Sequence, residues 1–217
     1  MDLELLEYLE GFLTERRRER FQEILATRTR YLTVALEDVY QLHNASAVIR
    51  SCDAFGIQDA HLVVARYGSR LDKNIAKGAQ QWVDIHKHRS GAACVRQLRK
   101  LGYRIVATSP HGDAVRPEAL ELSSPIALFF GTEKDGLSED LLEEADATVR
   151  IPMVGFSESL NISVAAAILL HVLSDRLRAS GMPWQMTESE ILEKRMDWAR
   201  KTVKSSKEIL ARYPGRT

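Results

Sequence analysis

Residues 151–168 read IPMVGFSESLNISVAAAI, and this segment joins a polar loop to a small-residue helix. Pro152 and Gly155 interrupt regular structure within the loop. Three of its residues favour helix N-caps: Ser157, Ser159 and Asn161. The apolar, Ala-rich run over 164–170 predicts a buried and closely packed helix. A loop with free backbone N–H and C=O groups, attached to such a helix, is suited to binding a polar small molecule.

Outward from this segment, apolar strands alternate with helices. The predicted strands cover 31–36, 61–65, 103–108, 126–130 and 148–151. The predicted helices cover 1–11, 15–26, 45–55, 90–101, 138–145 and a stretch after Pro183 that opens with a capping box of Thr187 and Glu190. Asn44 is predicted to cap the 45–55 helix and Gly56 to end it. Continuous apolar strands separated by helices indicate an α/β fold, a mostly parallel sheet with helices on both faces.

Length and composition exclude several classes of protein. The 217 residues are 45% apolar, which is enough for one full core with appended segments. Two cysteines, Cys52 and Cys94, make no disulfide framework and predict reduced thiols in the cytoplasm. The sequence contains no run of eighteen apolar residues, so it predicts no membrane-spanning helix. The acidic N-terminus is unlike the basic start of a signal peptide.

The chain has no net charge, but its charge is segregated. Residues 15–30 carry six Arg against three Glu, and residues 193–217 carry eight Lys and Arg against three Asp and Glu. These stretches are +3 and +5, so the remainder is −8. Local cation density governs phosphate contacts, so both ends are candidate nucleic-acid surfaces. Two solvated helix faces would produce the same pattern.

Three loops follow predicted strands at the edge of the sheet where ligands bind in such folds. They cover 108–113, 131–138 and 152–161. The second loop is not a P-loop, because Leu137 and Ser138 stand where Lys and Ser or Thr are needed. The chain has no G-x-G-x-x-G dinucleotide fingerprint. Alone, the second loop is also consistent with an ordinary turn into a helix capped by Ser138.

The 44–55 helix carries a further candidate, Arg50, among apolar residues. Its stem could simply reach solvent along the apolar stripe. His43 precedes the helix and could contact a phosphate or cap it locally. His86 and His88 alternate along a possible strand, and without a Cys or carboxylate cluster beside them the sequence predicts no metal site.

Three segments together carry a specific resemblance. Residues 43–56 (HNASAVIRSCDAFG), 130–138 (FGTEKDGLS) and 151–167 resemble, in order and spacing, the three motifs of the SPOUT-class (SpoU/TrmH) RNA ribose 2′-O-methyltransferases. The similarity extends over roughly 15–180 and includes the GAQQWV run at 78–83. A basic N-terminal helix that leads directly into the first motif is most similar to the TrmH branch, which methylates guanosine 18 of the tRNA D-loop.

The resemblance implies a fold, a cofactor and partners. The sheet would end in a deep C-terminal trefoil knot within a catalytic domain over 31–180. N-terminal (1–30) and C-terminal (181–217) helical extensions would flank it. The knot would bind S-adenosylmethionine, with the adenosine and methionine parts held by the backbone around four residues: Thr108, Gly131, Ile151 and Leu160. The enzyme would act on tRNA as a homodimer.

The resemblance also implies roles for individual residues. Arg50 would lie next to the reacting 2′-OH, and four further residues would support catalysis: Asn44, Glu133, Ser159 and Asn161. Contacts to tRNA are expected from Arg17, Arg18, Arg20, Arg28, His43, Arg176 and Arg178, together with cations of the last helix. No metal is expected.

One departure from the family and three alternatives remain open at this point. Residues 1–14 form an acidic, Leu-rich addition, and its apolar stripe of Leu3, Leu6, Leu9 and Phe12 or Leu13 favours dimer packing over RNA contact. The alternatives are methylation of another tRNA or ribosomal RNA ribose, a non-catalytic RNA-binding factor with the same fold, and a nucleotide-binding Rossmann enzyme.

Overall fold

The structure is a computed structural model that describes residues 2–38, 42–64, 78–110, 113–132 and 134–213. The helices are α1 (Leu3–Glu10), α2 (Glu15–Leu25), α3 (Leu42–Ala54), α4 (Gly91–Lys100), α5 (Glu139–Glu143), α6 (Ile162–Ala179), α7 (Glu188–Thr202) and α8 (Ser206–Ala211). The strands are β1 (Leu32–Glu37), β2 (Asp59–Val63), β3 (Asp84–His88), β4 (Arg104–Thr108), β5 (Ile126–Phe130) and β6 (Ala147–Val149).

The chain divides into two compact units. Thr29–Trp184 forms the sheet unit, and Met1–Arg28 joins Gln185–Thr217 in a helical unit. The sequence prediction treats the two ends as separate extensions, whereas the structure packs them against each other. Within the described ranges, no helix is both long enough and apolar enough to cross a membrane.

The sheet has six strands in the order β3-β2-β1-β5-β4-β6, and every pairing is parallel. Apolar residues of α3 and α6 cover one face, including Ile49 and Leu170. Residues of α4 and α5 cover the other face, including Leu98 and Leu141. The predicted α/β sheet with helices on both faces is confirmed.

Two local predictions about helices are wrong. Helix α3 begins at Leu42 rather than Ala45, so Asn44 lies inside its first turn and does not cap it. Its side chain turns into the protein instead. Helix α6 is not buried all round, because Val164 is 45% and Ile168 36% exposed, one turn apart. By contrast, Gly56 does end α3, with a φ of 76° and a hydrogen bond from Ile57 N–H to the Cys52 carbonyl.

The helical unit has its own small core. Leu6 and Leu9 of α1 are buried against Met196 and Ala199 of α7. They are therefore unavailable for the dimer packing predicted from the Leu-rich stripe, and that prediction is wrong for these two residues. A bidentate ion pair from Arg195 to Glu10 joins the same helices. The predicted capping box of Thr187 and Glu190 is confirmed at the start of α7.

Candidate active site

The three candidate loops leave neighbouring strands at one edge of the sheet. Strands β5, β4 and β6 lie side by side and run parallel, so their carboxyl ends meet at the same edge. Thr108 ends β4, Gly131 follows β5 and Ile151 comes two residues after β6. This edge is where open parallel sheets bind their ligands. The fold therefore brings three of the four predicted cofactor-binding positions to one edge of the sheet.

The loop after β5 is a tight turn held by its own backbone. Thr132 and Gly136 exchange two hydrogen bonds of 2.9 and 3.1 Å. This closes the turn over Gly131, where an added Cβ would overlap the backbone of Gly136. Glycine is therefore required at 131 by close approach of the chain. Glu133, a predicted catalytic residue, lies outside the described residues.

Glu37 anchors the second motif and was not predicted from the sequence. It ends β1, and its carboxylate accepts hydrogen bonds from the N–H and hydroxyl of Ser138, at 2.8 and 2.9 Å. Ser138 precedes α5, as predicted for a cap, but its hydroxyl donates to Glu37 and makes no capping bond. The signal in the sequence that could have indicated this contact is an acidic residue, Glu37, at the end of an apolar strand.

The first and third motifs meet through two asparagines. The side-chain amide of Asn161 donates to Oδ1 of Asn44 at 3.3 Å, across 117 residues of sequence. Oδ1 of Asn161 accepts from the N–H and hydroxyl of Ser163, so Asn161 also caps α6. Asn44 is 3% exposed. This contact ties the loop before α6 to the first turn of α3.

Arg50 lies on the exposed side of the same helix. Its neighbours Val48 and Ile49 are buried in the core beneath α3, whereas Arg50 itself is exposed. Six residues separate it from Asn44, which is about 9 Å along the axis and about 120° around it. Arg50 and Asn44 therefore point in different directions. His43 is also exposed, in the first turn of α3.

The loop over 151–160 leaves its backbone unused. Its backbone makes no hydrogen bond to other backbone groups in the part of the chain that the structure describes. Ile151 and Leu160 are half-buried, and Ser159 is exposed. Thr108, by contrast, turns its hydroxyl inward to the Phe129 carbonyl at 2.8 Å. The loop thus offers free N–H and C=O groups beside two apolar side chains.

The predicted RNA-binding arginines fall into two groups. Arg17, Arg18 and Arg20 are exposed on α2, and Arg20 forms an exposed ion pair with Glu23. Arg28 is 1% exposed, with its guanidinium over the Trp198 ring. That burial makes Arg28 part of the helical unit's interior and is incompatible with phosphate contact in this conformation.

The two predicted RNA-binding arginines of α6 donate hydrogen bonds to backbone carbonyls within the sheet unit. Arg176 is half-buried and donates to the Pro117 carbonyl. Arg178 is exposed and donates to the Phe55 carbonyl at 2.6 Å, with its guanidinium over the Trp184 ring. Both guanidiniums therefore already hold neighbouring elements in place.

One premise of the sequence interpretation is wrong. The sequence predicted no metal site at the histidines because no cluster of cysteines or carboxylates lies beside them in the chain. In the structure Cys94 lies beside His61 and His88, and the potential ligand atoms of the three residues are within 4.8 Å of one another. The cysteine comes from α4, so the sequence spacing concealed the grouping.

Comparison with known proteins identifies the family. Residues 31–171 match the SpoU rRNA Methylase family. The chain belongs to the SpoU methylase family. Among relatives of this SpoU chain is a protein of Borreliella burgdorferi named tRNA (guanosine(18)-2′-O)-methyltransferase, 38% identical, with 91% of this chain and 90% of the relative covered. A Thermus thermophilus protein of the same name is 38% identical, with 87% and 98% covered.

Solved structures of the family have the same fold. The A. aeolicus TrmH/SpoU tRNA modifying enzyme is 31% identical with a TM-score of 0.77, covering 87% of this chain and 98% of that one. The SpoU methyltransferase AviRb from Streptomyces viridochromogenes, in complex with the cofactor AdoMet, is 27% identical with a TM-score of 0.62. The match covers 74% of this chain and 62% of AviRb.

Two substitutions at Asn161 separate its two roles in this SpoU chain. Asn161→Ala removes the helix cap and the bond to Asn44, so we expect it to lower the free energy of unfolding by about 1 kcal/mol. Asn161→Asp keeps an oxygen for Ser163 and adds a favourable charge at the helix N-terminus, but cannot donate to Asn44. We expect it to retain stability and to lose methyl-transfer activity.

Urea unfolding and single-turnover methylation measure these two effects. Ser163→Ala serves as the control, because it keeps the backbone bond to Asn161 and leaves the link to Asn44 intact. If Asn161→Asp were as active as the unmodified chain, the contact with Asn44 would have no part in building the site.

Proposed function

We propose that this protein transfers a methyl group from S-adenosylmethionine to the ribose 2′-OH of guanosine 18 in tRNA. The observation that carries the proposal is the Asn161–Asn44 contact, because it links the first and third motifs of a SpoU chain. Relatives named for this reaction cover nine-tenths of the chain, and this supports tRNA over ribosomal RNA as the substrate. The proposal assigns the protein to the cytoplasm, consistent with its free cysteines.

The residues at the sheet edge fit the cofactor. S-adenosylmethionine supplies a methyl group on a sulfonium, which is already activated for transfer. The unused backbone groups over 151–160 can hold its polar adenosine and methionine parts, and the half-buried Ile151 and Leu160 can contact the adenine ring. Gly131 permits the tight turn that completes this edge. The trefoil knot, in which this loop would be threaded, is part of the proposal.

Positioning and one proton transfer are the tasks left to the protein. Arg50 is exposed on α3, and the proposal places it beside the bound ribose. As a fixed cation it would stabilise the developing alkoxide. As a base it would need help, because a guanidinium normally keeps its proton. A neighbouring RNA phosphate could provide that help. Ser159 and Glu133 are proposed to support the loops around the substrate.

Exposed arginines of α2 are proposed to contact tRNA phosphates. Replacing Arg17 or Arg18 with Ala removes one cation, so we expect RNA affinity to fall equally for all tRNA sequences. The slope of log affinity against log salt should decrease by about one per contact. Filter binding across a salt series measures this slope.

Arg96 of α4 provides the matched control, since it is exposed on a helix of the sheet unit that is not assigned to RNA. A slope unchanged in Arg17→Ala and Arg18→Ala alike would remove α2 from the proposed RNA surface. Arg28→Ala is not informative here, because its burial against Trp198 means that the substitution disturbs the helical unit itself.

The protein is proposed to act as a homodimer through the exposed apolar side of α6. Val164 and Ile168 lie one turn apart there and are exposed in the single chain. Ile168→Glu places a charge on this surface, and we expect it to weaken self-association about 100-fold or more. Sedimentation equilibrium measures the association. Leu142→Glu is the control, because Leu142 is 40% exposed on α5, over the other face of the sheet.

One experiment tests the proposed reaction. The protein is incubated with labelled S-adenosylmethionine and unmodified tRNA transcript, and the methyl is mapped. We expect label on the ribose of guanosine 18, and none on a transcript with a 2′-deoxyguanosine at that position. Label on a ribosomal RNA fragment but not on tRNA would assign the reaction to another substrate. No label on any RNA would favour a non-catalytic RNA-binding role.

A further inference from the structure

A buried group of metal-ligating side chains lies outside the set of residues assigned to the proposed active site. It consists of His61 on β2, His88 on β3 and Cys94 on α4, which are 3%, 7% and 0% exposed. Their potential ligand atoms all lie within 4.8 Å of one another. Cys94 belongs to the core beneath α4, whereas α3, which carries Arg50, covers the opposite face of the sheet.

We propose that His61, His88 and Cys94 form a binding site for a divalent cation of the zinc class. Two imidazole nitrogens and one sulfur are a ligand set that Zn²⁺ prefers, and soft or borderline ligands disfavour Mg²⁺ and Ca²⁺. The ligands come from three different elements. A bound ion would therefore cross-link β2, β3 and α4 at the edge of the sheet.

The ligand atoms lie close enough together for small shifts to bring them onto one ion. Nδ1 of His61 and Nε2 of His88 are 2.9 Å apart. Ordinary zinc–nitrogen bond lengths would separate two such nitrogens by about 3.3 Å. Small ring rotations would therefore replace the direct hydrogen bond with two bonds to an ion. Because α4 and the two strands already fix the side chains, little conformational entropy would be lost on binding.

Binding at this site would release one proton. Zinc binds a cysteine as its thiolate, so the proton of the Cys94 thiol would pass to solvent.

Outer contacts orient this group. His86 stacks on His61 with ring centroids 4.8 Å apart, and its Nε2 contacts a carboxylate oxygen of Asp59 at 2.7 Å. Arg30 holds the same carboxylate through Nη1, at 2.8 and 2.6 Å. These contacts hold the His86 ring in place, and the stack in turn limits rotation of the His61 ring. Three ligating side chains make up the group among the described residues, so the fourth position is assigned to a water molecule.

Cobalt is the probe for this site, because a bound thiolate produces a sulfur-to-cobalt charge-transfer band in the near ultraviolet. The full chain, free of affinity tags and stripped with a chelator, is titrated with Co²⁺. We expect one equivalent to bind with this band, and an equivalent of Zn²⁺ to displace it. His88→Gln should abolish the stoichiometric binding.

The two cysteines make the test decisive even if a ligand variant does not fold. Cys52 is buried beneath α3, away from the histidines, and Cys52 and Cys94 are the chain's two cysteines. Cys52→Ser should keep the band and Cys94→Ser should lose it. If Cys94→Ser does not fold, a band retained in Cys52→Ser still assigns the thiolate to Cys94. No saturable one-to-one binding by the unmodified chain, or a band lost in Cys52→Ser, would overturn the proposal.

Discussion

Replacing Arg50 with Ala should reduce the rate of methyl transfer by about 10³-fold, the loss typical of removing a group that stabilises transition-state charge. Cofactor affinity should change little, because the groups proposed to hold the cofactor lie in the loops after β4, β5 and β6. Helix α3 should stay folded, since Arg50 is exposed and its buried neighbours are unchanged. Single-turnover methylation and calorimetric titration with S-adenosylmethionine measure the two quantities.

Arg50→Lys distinguishes between the two proposed roles of Arg50. Lysine keeps the positive charge but lacks the planar fork that binds a phosphate and a hydroxyl together. A partial rescue by Lys would support the fixed-cation role, and no rescue would support a role that needs the fork. Arg96→Ala on α4 is the matched control for loss of an exposed arginine. Turnover at the normal rate in Arg50→Ala would remove Arg50 from the chemistry.

Gly131→Ala should abolish cofactor binding and lower the free energy of unfolding by about 3 kcal/mol, as overpacking does at a site that cannot relax. The added Cβ would overlap the Gly136 backbone, and backbone cannot rotate away as a side chain can. The Thr132–Gly136 turn must then open, which displaces the loop at the sheet edge. Urea unfolding and cofactor titration report the two losses.

Gly181→Ala is the control for this substitution. No heavy atom lies within 4 Å of a Cβ added at Gly181, and its φ is not in the left-handed region. Its stability should therefore change by less than about 0.5 kcal/mol. If Gly131→Ala bound the cofactor normally, the turn after β5 would have no part in the cofactor site.

Strand positions could be predicted from the sequence because burial on both faces leaves a local signature. The run Ile126–Phe130 is apolar at every position, and it forms the strand beside β1 at the centre of the sheet. Gly56 and Gly102 end helices through positive φ angles that glycine adopts without strain. In these cases the determining interaction lies within a few residues of the position.

Features that depend on a distant partner could not be predicted in this way. Asn44 is a residue type that often caps helices, but its side chain instead accepts a hydrogen bond from Asn161, which lies 117 residues away in the sequence. Leu6 and Leu9 form an apolar stripe, and the sequence does not indicate whether another subunit or α7 covers it. Arg28 carries a charge typical of a phosphate contact, yet Trp198 covers it.

The sequence by itself determined five of the six described strands, most of the helices and the three motifs of a SpoU methylase, because local hydrophobic periodicity and short-range spacing specify them; the polar edge strand β3 has no such apolar signature. Tertiary structure alone decided which side chains meet: Asn161 with Asn44, Ser138 with Glu37, and Cys94 with two histidines. The physical reason is that parallel strand pairing and helix packing bring together residues that are far apart in the chain. The spacing of residues along the sequence does not indicate which of them will be in contact.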